Sequence, residues 1–244
     1  MAVFSSLVQA LALASAIVAS PIGNLDKRAV IGHNKVAGFA QTPESVPSGC
    51  MGDLYLAYQP FLKVESGCVP FPAVDADGNT GGGLAPSGSP SGKCGSNPGQ
   101  VYVRSAEYGG NTVLMYSWYF PKDSPSDGFG HRHDWEGVIV YVKSINSTTP
   151  ENVLAVCPSA HGAWYCATTG FTLSGTSPLI IYDSEWPVNH ALALTGAEGG
   201  KQPLIAWEKL PPAASSALAT ADFGAAIVPF KDDTFWKNVH AANW

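Results

Sequence analysis

Seven consecutive residues, Gly130-His131-Arg132-His133-Asp134-Trp135-Glu136, gather four potential metal ligands immediately before the apolar run Val138 to Val142. In an extended strand successive side chains alternate, so Asp134 and Glu136 emerge on one face and Trp135 turns to the other, packed in the core. His131 belongs to the Gly-rich turn before that strand, where the backbone can fold its imidazole toward the two carboxylates. Asp123, in Pro121-Lys122-Asp123-Ser124-Pro125, ends the preceding strand and returns to the same rim if the two strands pair. Three carboxylates held side by side need a cation to remain ionised. Oxygen-rich ligation with one imidazole favours a hard divalent ion, Mg2+ or Ca2+ with Mn2+ also admissible, over structural zinc. A zinc ion on both His131 and His133 is the rival assignment, although the spacing lacks the i, i+4 histidines of the zinc-protease helix. Lys122 and Arg132 offer a metal-free alternative, an ordinary salt-bridge network.

The elements that must position these residues are mostly strands. Runs at Gln100 to Arg104, Thr112 to Phe120, Gly137 to Lys143, Val153 to Val156, Ala163 to Thr172 and Leu179 to Tyr182 are separated by Gly, Pro, Asn, Asp and Ser at hairpin-like intervals. That spacing predicts antiparallel pairing in a β-sandwich. Helical patterns lie toward the ends, at Met51 to Tyr58, Pro211 to Ala221 and Asp232 to Ala241, the last two opened by prolines and by acids suited to a first turn. The expected fold is mainly β, a sandwich core with a few peripheral α-helices.

Met1 to Ser20 carries an apolar stretch ending in small residues and reads as a secretory signal. Pro21 to Arg28 closes in the dibasic pair Lys27-Arg28 and reads as a propeptide, leaving residues 29–244 as a single domain. The chain has 13 basic and 19 acidic residues, a net charge of -6; cleavage after Arg28 would leave 11 and 18, or -7. Such a chain lacks the basic surface that nucleic acid or anionic lipid requires, so any membrane partner must be recognised at a specific site. Cys157 and Cys166 bracket a hairpin-like stretch, and Cys68 and Cys94 bracket most of the Gly/Pro/Ser-rich segment from Asp75 to Gly99, which makes either pairing inexpensive in chain entropy. With Cys50 the count is odd, and alternative pairings stay open. Asn146-Ser147-Thr148 is an N-glycosylation sequon in a polar turn.

The heptapeptide of residues 130–136 resembles the signature of the necrosis- and ethylene-inducing peptide 1-like (NPP1) proteins. Met115 to Tyr119 with Pro121 to Ser124, Gly67 to Pro72, Trp186-Pro187-Val188-Asn189-His190 and Ala221 to Gly224 extend the resemblance through most of the chain. The resemblance implies a β-sandwich like those of actinoporins and fungal lectins. It also implies a secreted, monomeric, non-enzymatic cytolysin that binds glycosylinositol phosphorylceramide headgroups of the plant plasma membrane through a divalent cation, with a plant immune receptor as a further partner. The ligands by matching position are Asp123, His131, Asp134 and Glu136, with no catalytic residue. Arg132, His133, His161, Asn189 and His190 form the expected headgroup rim, and Trp186 the membrane contact. The family disulfide matches Cys68 with Cys94; Cys157 and Cys166 would form a second bridge, and Cys50 has no counterpart. Two other functions suit the same residues: a non-toxic glycan binder or immune elicitor, and an extracellular hydrolase with His133 or Glu136 as base.

Overall fold

A computed structural model describes residues 28–184, 189–242 and 244. The expected signal segment, the stretch from Pro21 to Lys27 and Trp186 lie outside the described residues. The strands are β1 (Val30–Ile31), β2 (Phe61–Val64), β3 (Thr80–Gly81), β4 (Val101–Tyr108), β5 (Asn111–Asp123), β6 (His131–Val142), β7 (Val153–Ala160), β8 (Ala163–Trp164), β9 (Leu173–Ser174), β10 (Ser177–Asp183), β11 (Ala191–Leu194) and β12 (Leu204–Ala206). The helices are α1 (Cys50–Ala57), α2 (Pro212–Thr220) and α3 (Asp232–Ala241).

Two sheets form the body of the fold. The larger runs β12-β4-β5-β6-β7-β8, and the smaller runs β11-β10-β2 with β9 on β10. Their inner faces meet where Phe120 of β5 stacks on Tyr182 of β10, centroids 3.9 Å apart and planes 5° from parallel. The core strand β5 is buried on both sides from Thr112 to Asp123, which explains why its sequence, with Val113, Leu114, Met115, Tyr116, Trp118, Tyr119 and Phe120, is nearly continuous in apolar residues instead of alternating. Tyr102, Tyr119, Trp135, Phe223 and Phe230 form an aromatic cluster on the other face of the larger sheet.

The sandwich matches the expected class, with two corrections. Pairing is not antiparallel throughout: β1 with β3, β2 with β10 and β4 with β12 are parallel, because each pair is joined by a long excursion and not by a hairpin. The run expected from Ala163 to Thr172 stops as a strand at Trp164, since Cys166 is tied back to Cys157 of β7 and Gly170 turns the chain with φ 81°. The second bridge joins Cys68 and Cys94, and Cys50 is a free, exposed thiol.

Candidate metal centre

The hairpin of β5 and β6 positions the acids. Its register pairs Asp123 with His131, Lys122 with Arg132, and Phe120 with Asp134. His131 is therefore the first residue of the strand and not part of the preceding turn. Residues three apart on a regular strand point to opposite faces, which would separate His131 from Asp134. The reset occurs at Pro121 and His133, the position missing from the ladder: proline has no N–H, and His133 adopts φ 60°. Beyond it both strands exchange faces, so Asp123 and His131 join Asp134 on the cavity side. Ligand atoms of Asp123, His131 and Asp134 consequently lie within 4.8 Å of one another. Gly130 makes the approach possible: at φ 95°, a Cβ there would lie 2.1 Å from the Asp123 carbonyl oxygen.

Each ligand is aimed by a neighbour. The Nδ1–H of His131 donates to the His133 carbonyl at 2.7 Å, which turns Nε2 toward Asp123 Oδ2, 3.7 Å away. Asp123 Oδ1 accepts from the backbone N–H of His190 at 3.1 Å and from its Nδ1 at 2.7 Å. The Tyr182 hydroxyl donates to Asp134 Oδ2 at 2.9 Å, and its ring stacks on His190, centroids 5.0 Å apart. Glu136, the fourth ligand expected, is not part of that close group; its Oε2 accepts from Ser159 Oγ.

The three carboxylates are almost sealed from water, with Asp123 1%, Asp134 6% and Glu136 7% exposed. Burial, and then the charge of Asp123, push the Asp134 carboxyl up to about 7; burial and the charge of Asp134 hold Glu136 well above its ordinary range. Lys122 Nζ donates to the carbonyls of Ser87 and Ser89, and Arg132 Nη1 to that of Gly82. Among the described residues, neither cation pairs with the acids, which removes the salt-bridge account. The donor chemistry fits a hard divalent cation: two carboxylates and one oriented imidazole, with a third carboxylate close by and no thiolate.

The trio opens into a cavity of about 470 Å³ also lined by Glu136, Ser159, His161, Asn189 and His190. Of the expected rim, His161, Asn189 and His190 thus border the cavity, while Arg132 and His133 do not. His133 faces the opposite side, where its Nδ1 and the Tyr119 hydroxyl share a hydrogen bond of 2.6 Å and its ring meets the edge of Phe223. Burial and the Arg132 charge lower its pKa to about 4; its ring packs on the Tyr119 and Phe223 side, away from the acids, and this placement keeps it from sharing an ion with His131. The expected packing role of Trp135 agrees with its place among Tyr102, Tyr119, Phe223 and Phe230. Asn146 of the sequon is exposed in a turn. Tyr182 and Ser159, which aim two of the acids, carry no local sequence signal; both belong to apolar strand runs.

The family model described as "Necrosis inducing protein (NPP1)" matches residues 52–242. The necrosis-inducing protein NPP1 of Phytophthora nicotianae is 47% identical over 215 residues, covering 86% of this chain and 89% of its own. The solved structure of "NLPPya in complex with mannosamine" is 42% identical with a TM-score of 0.82, covering 88% of this chain and all of the other. That of the "non-toxic HaNLP3 protein" has the same TM-score at 37% identity, covering 86% and 98%.

Proposed function

This chain belongs to the necrosis-inducing protein (NPP1) family, and on that premise we propose that it is a secreted, cation-dependent cytolysin acting on the plant plasma membrane without covalent chemistry. Its target is the sugar headgroup of a glycosylinositol phosphorylceramide. The observation that carries this reading is the Asp123, His131 and Asp134 trio, with both acids buried, opening into a cavity of a volume that suits a sugar. The relative crystallised with mannosamine supports a sugar as the occupant.

Asp123, His131 and Asp134 would hold the ion, with Glu136 adding negative charge in the same cavity. When bound, a divalent cation, Mg2+ or Ca2+ with Mn2+ as an alternative, supplies the charge that keeps the carboxylates ionised and an oxygen-seeking anchor for sugar hydroxyls. His190 and Tyr182 keep the carboxylates aimed, while His161 and Asn189 offer hydrogen bonds to the remaining hydroxyls. The hydrolase alternative loses one of its two candidate bases, because His133 points away from the cavity. A glycan-binding role without lysis retains one supporting observation, the equal fold similarity to a non-toxic relative.

Dye release from vesicles containing or lacking the inositol glycolipid, each with and without chelator, tests the reading. Leakage is expected only when glycolipid and cation are both present. Leakage indifferent to chelator would reject the metal site, whereas binding without leakage would favour the non-lytic role.

A further inference from the structure

Away from the cavity, Arg28 Nη1 donates to Ser216 Oγ and Thr220 Oγ1 of α2, each at 3.2 Å, and its side chain borders a groove of about 230 Å³ with Val30, Thr80, Ala217 and Asp222. The next residue is tied to the turn before β3. The Ala29 N–H donates to Asn79 Oδ1 at 3.0 Å, the Ala29 carbonyl accepts from Thr80 N–H at 3.0 Å, and the Ile31 carbonyl accepts from Gly82 N–H at 2.7 Å. Asn79 is itself aimed: its Nδ2 donates to Asp75 Oδ2 and its backbone N–H to Asp75 Oδ1, both at 2.9 Å. With the amide nitrogen engaged there, the amide oxygen is fixed toward Ala29.

An arginine on surface hydroxyls and an aspartate closing a turn are each ordinary. Here they flank the Arg28–Ala29 bond, which directly follows the dibasic pair Lys27-Arg28. Hydrolysis there breaks the C–N bond, water giving its hydroxyl to the Arg28 carbonyl carbon and a hydrogen to the Ala29 nitrogen; the new carboxyl releases a proton and the new amine takes one. The single N–H facing Asn79 Oδ1 becomes an ammonium group, one side-chain amide away from the Asp75 carboxylate. Charge-assisted hydrogen bonds are roughly twice as strong as neutral ones. β1 depends on such contacts, because it is two residues long with Val30 75% exposed and apolar burial contributes little to it.

We infer that Asn79, oriented by Asp75, is the receptor for the α-ammonium group of Ala29 left by a dibasic-specific processing protease, and that the cut fastens β1 to β3. The Arg28 seat on α2 is vacated with the departing peptide. The effect reaches the scaffold of the metal centre: the Gly82 carbonyl accepts from Arg132 Nη1 at 2.8 Å, and Leu84 N–H donates to the Pro121 carbonyl at 2.7 Å. Maturation thus strengthens the segment that braces the β5–β6 hairpin at its reset. The receptor rests on the dibasic reading of Lys27-Arg28 and is independent of what occupies the cavity.

Wild type and Lys27→Gln, which lacks the dibasic signal, are secreted as full chains from a host that has a dibasic-specific processing protease. N-terminal sequencing should find wild type beginning at Ala29 and Lys27→Gln upstream of it; a wild-type start elsewhere would overturn the cut. Amine acylation at pH 7, read by mass spectrometry, then tests the receptor, since the reagent attacks only an accessible, unprotonated amine. The α-amine of cut wild type should react about tenfold more slowly than that of a free peptide of residues 29–33, and that of Asn79→Ala about fivefold faster than wild type. Asp77→Ala, which removes an exposed acid of the same turn, should react no faster than wild type. The cut should raise the melting temperature by about 2 °C or more over Lys27→Gln, and this gap should vanish when both chains carry Asn79→Ala. Wild-type labelling as fast as the peptide's would overturn the receptor without recourse to any variant. Equal acceleration in Asp77→Ala, or a melting gap that persists in the Asn79→Ala pair, would overturn it as well.

Discussion

Asp134 gives up its hydration to sit beside two other carboxylates, and the consequence is a measurable dependence on protons. Without a cation, the folded chain holds its proton up to about pH 7, whereas an ordinary aspartate releases it near 3.8. Between those values the folded state binds more protons than the unfolded state, so stability falls as pH rises. His133, lowered from 6.5 to about 4, contributes the opposite trend over much of the same window, so the Asp134 contribution is read as a difference. In chelator, the melting temperature of Asp134→Asn should gain on that of wild type from about pH 4 to pH 7, by roughly 4 °C or more, and added Mg2+ or Ca2+ should raise the wild-type value at the upper end. Thermal scans of both proteins at several pH values check these expectations, and a difference that does not change with pH would contradict them. Tyr182→Phe isolates the aiming of the same carboxylate. It keeps the stack on Phe120 but removes the donor to Asp134 Oδ2. Cation affinity should drop about 10-fold, read by calorimetry, with little change in melting temperature.

The hairpin of β5 and β6 shows what sequence conveys and what it omits. The acids and His131 were legible because they crowd one short segment, and Asp123 because a strand before that segment had to return to it. The reset at Pro121 and His133 was not legible, since a left-handed histidine has no distinctive neighbours and nothing local distinguishes it from an extended one. Regular alternation consequently separates His131 from Asp134 in any reading by pattern, whereas it places His133 correctly on the Trp135 side; the expectation of His133 at the headgroup rim came from the resemblance. The boundaries of α3 followed its acidic first turn, whereas the strand expected beyond Trp164 failed because a disulfide, a tertiary constraint, ends it. Gly130 offers a test at this scale. Gly130→Ala forces a methyl against the Asp123 carbonyl and a side chain into a left-handed conformation. It should destabilise the protein by about 1–3 kcal/mol in urea titrations and weaken cation binding more than tenfold. Retention of full affinity would show that Asp123 does not depend on that close approach.

For the whole molecule, charge decides which surfaces can be approached without a specific contact. A chain of net charge -6 gains nothing from bulk attraction to anionic lipid. Vesicles of phosphatidylcholine and phosphatidylserine without glycolipid should remain intact even at low ionic strength, where any electrostatic adsorption would be strongest; leakage from them would point to a membrane contact unrelated to the cavity. The two disulfides constrain opposite flanks, Cys68–Cys94 around the loop before β4 and Cys157–Cys166 at the edge strand β8. Neither joins the two sheets. That union is made by packing, which includes β11 against β6 and β7 and the column of Phe120, Tyr182 and His190. The column has a kinetic consequence. The β5–β6 hairpin can close by itself, but Tyr182 lies 48 residues beyond the Asp134 it holds and His190 lies 67 beyond Asp123, and such distant contacts form late in folding. Ion uptake should then act as a clock for the final docking of the sheets: during refolding, terbium luminescence would lag behind the far-ultraviolet signal of strand formation.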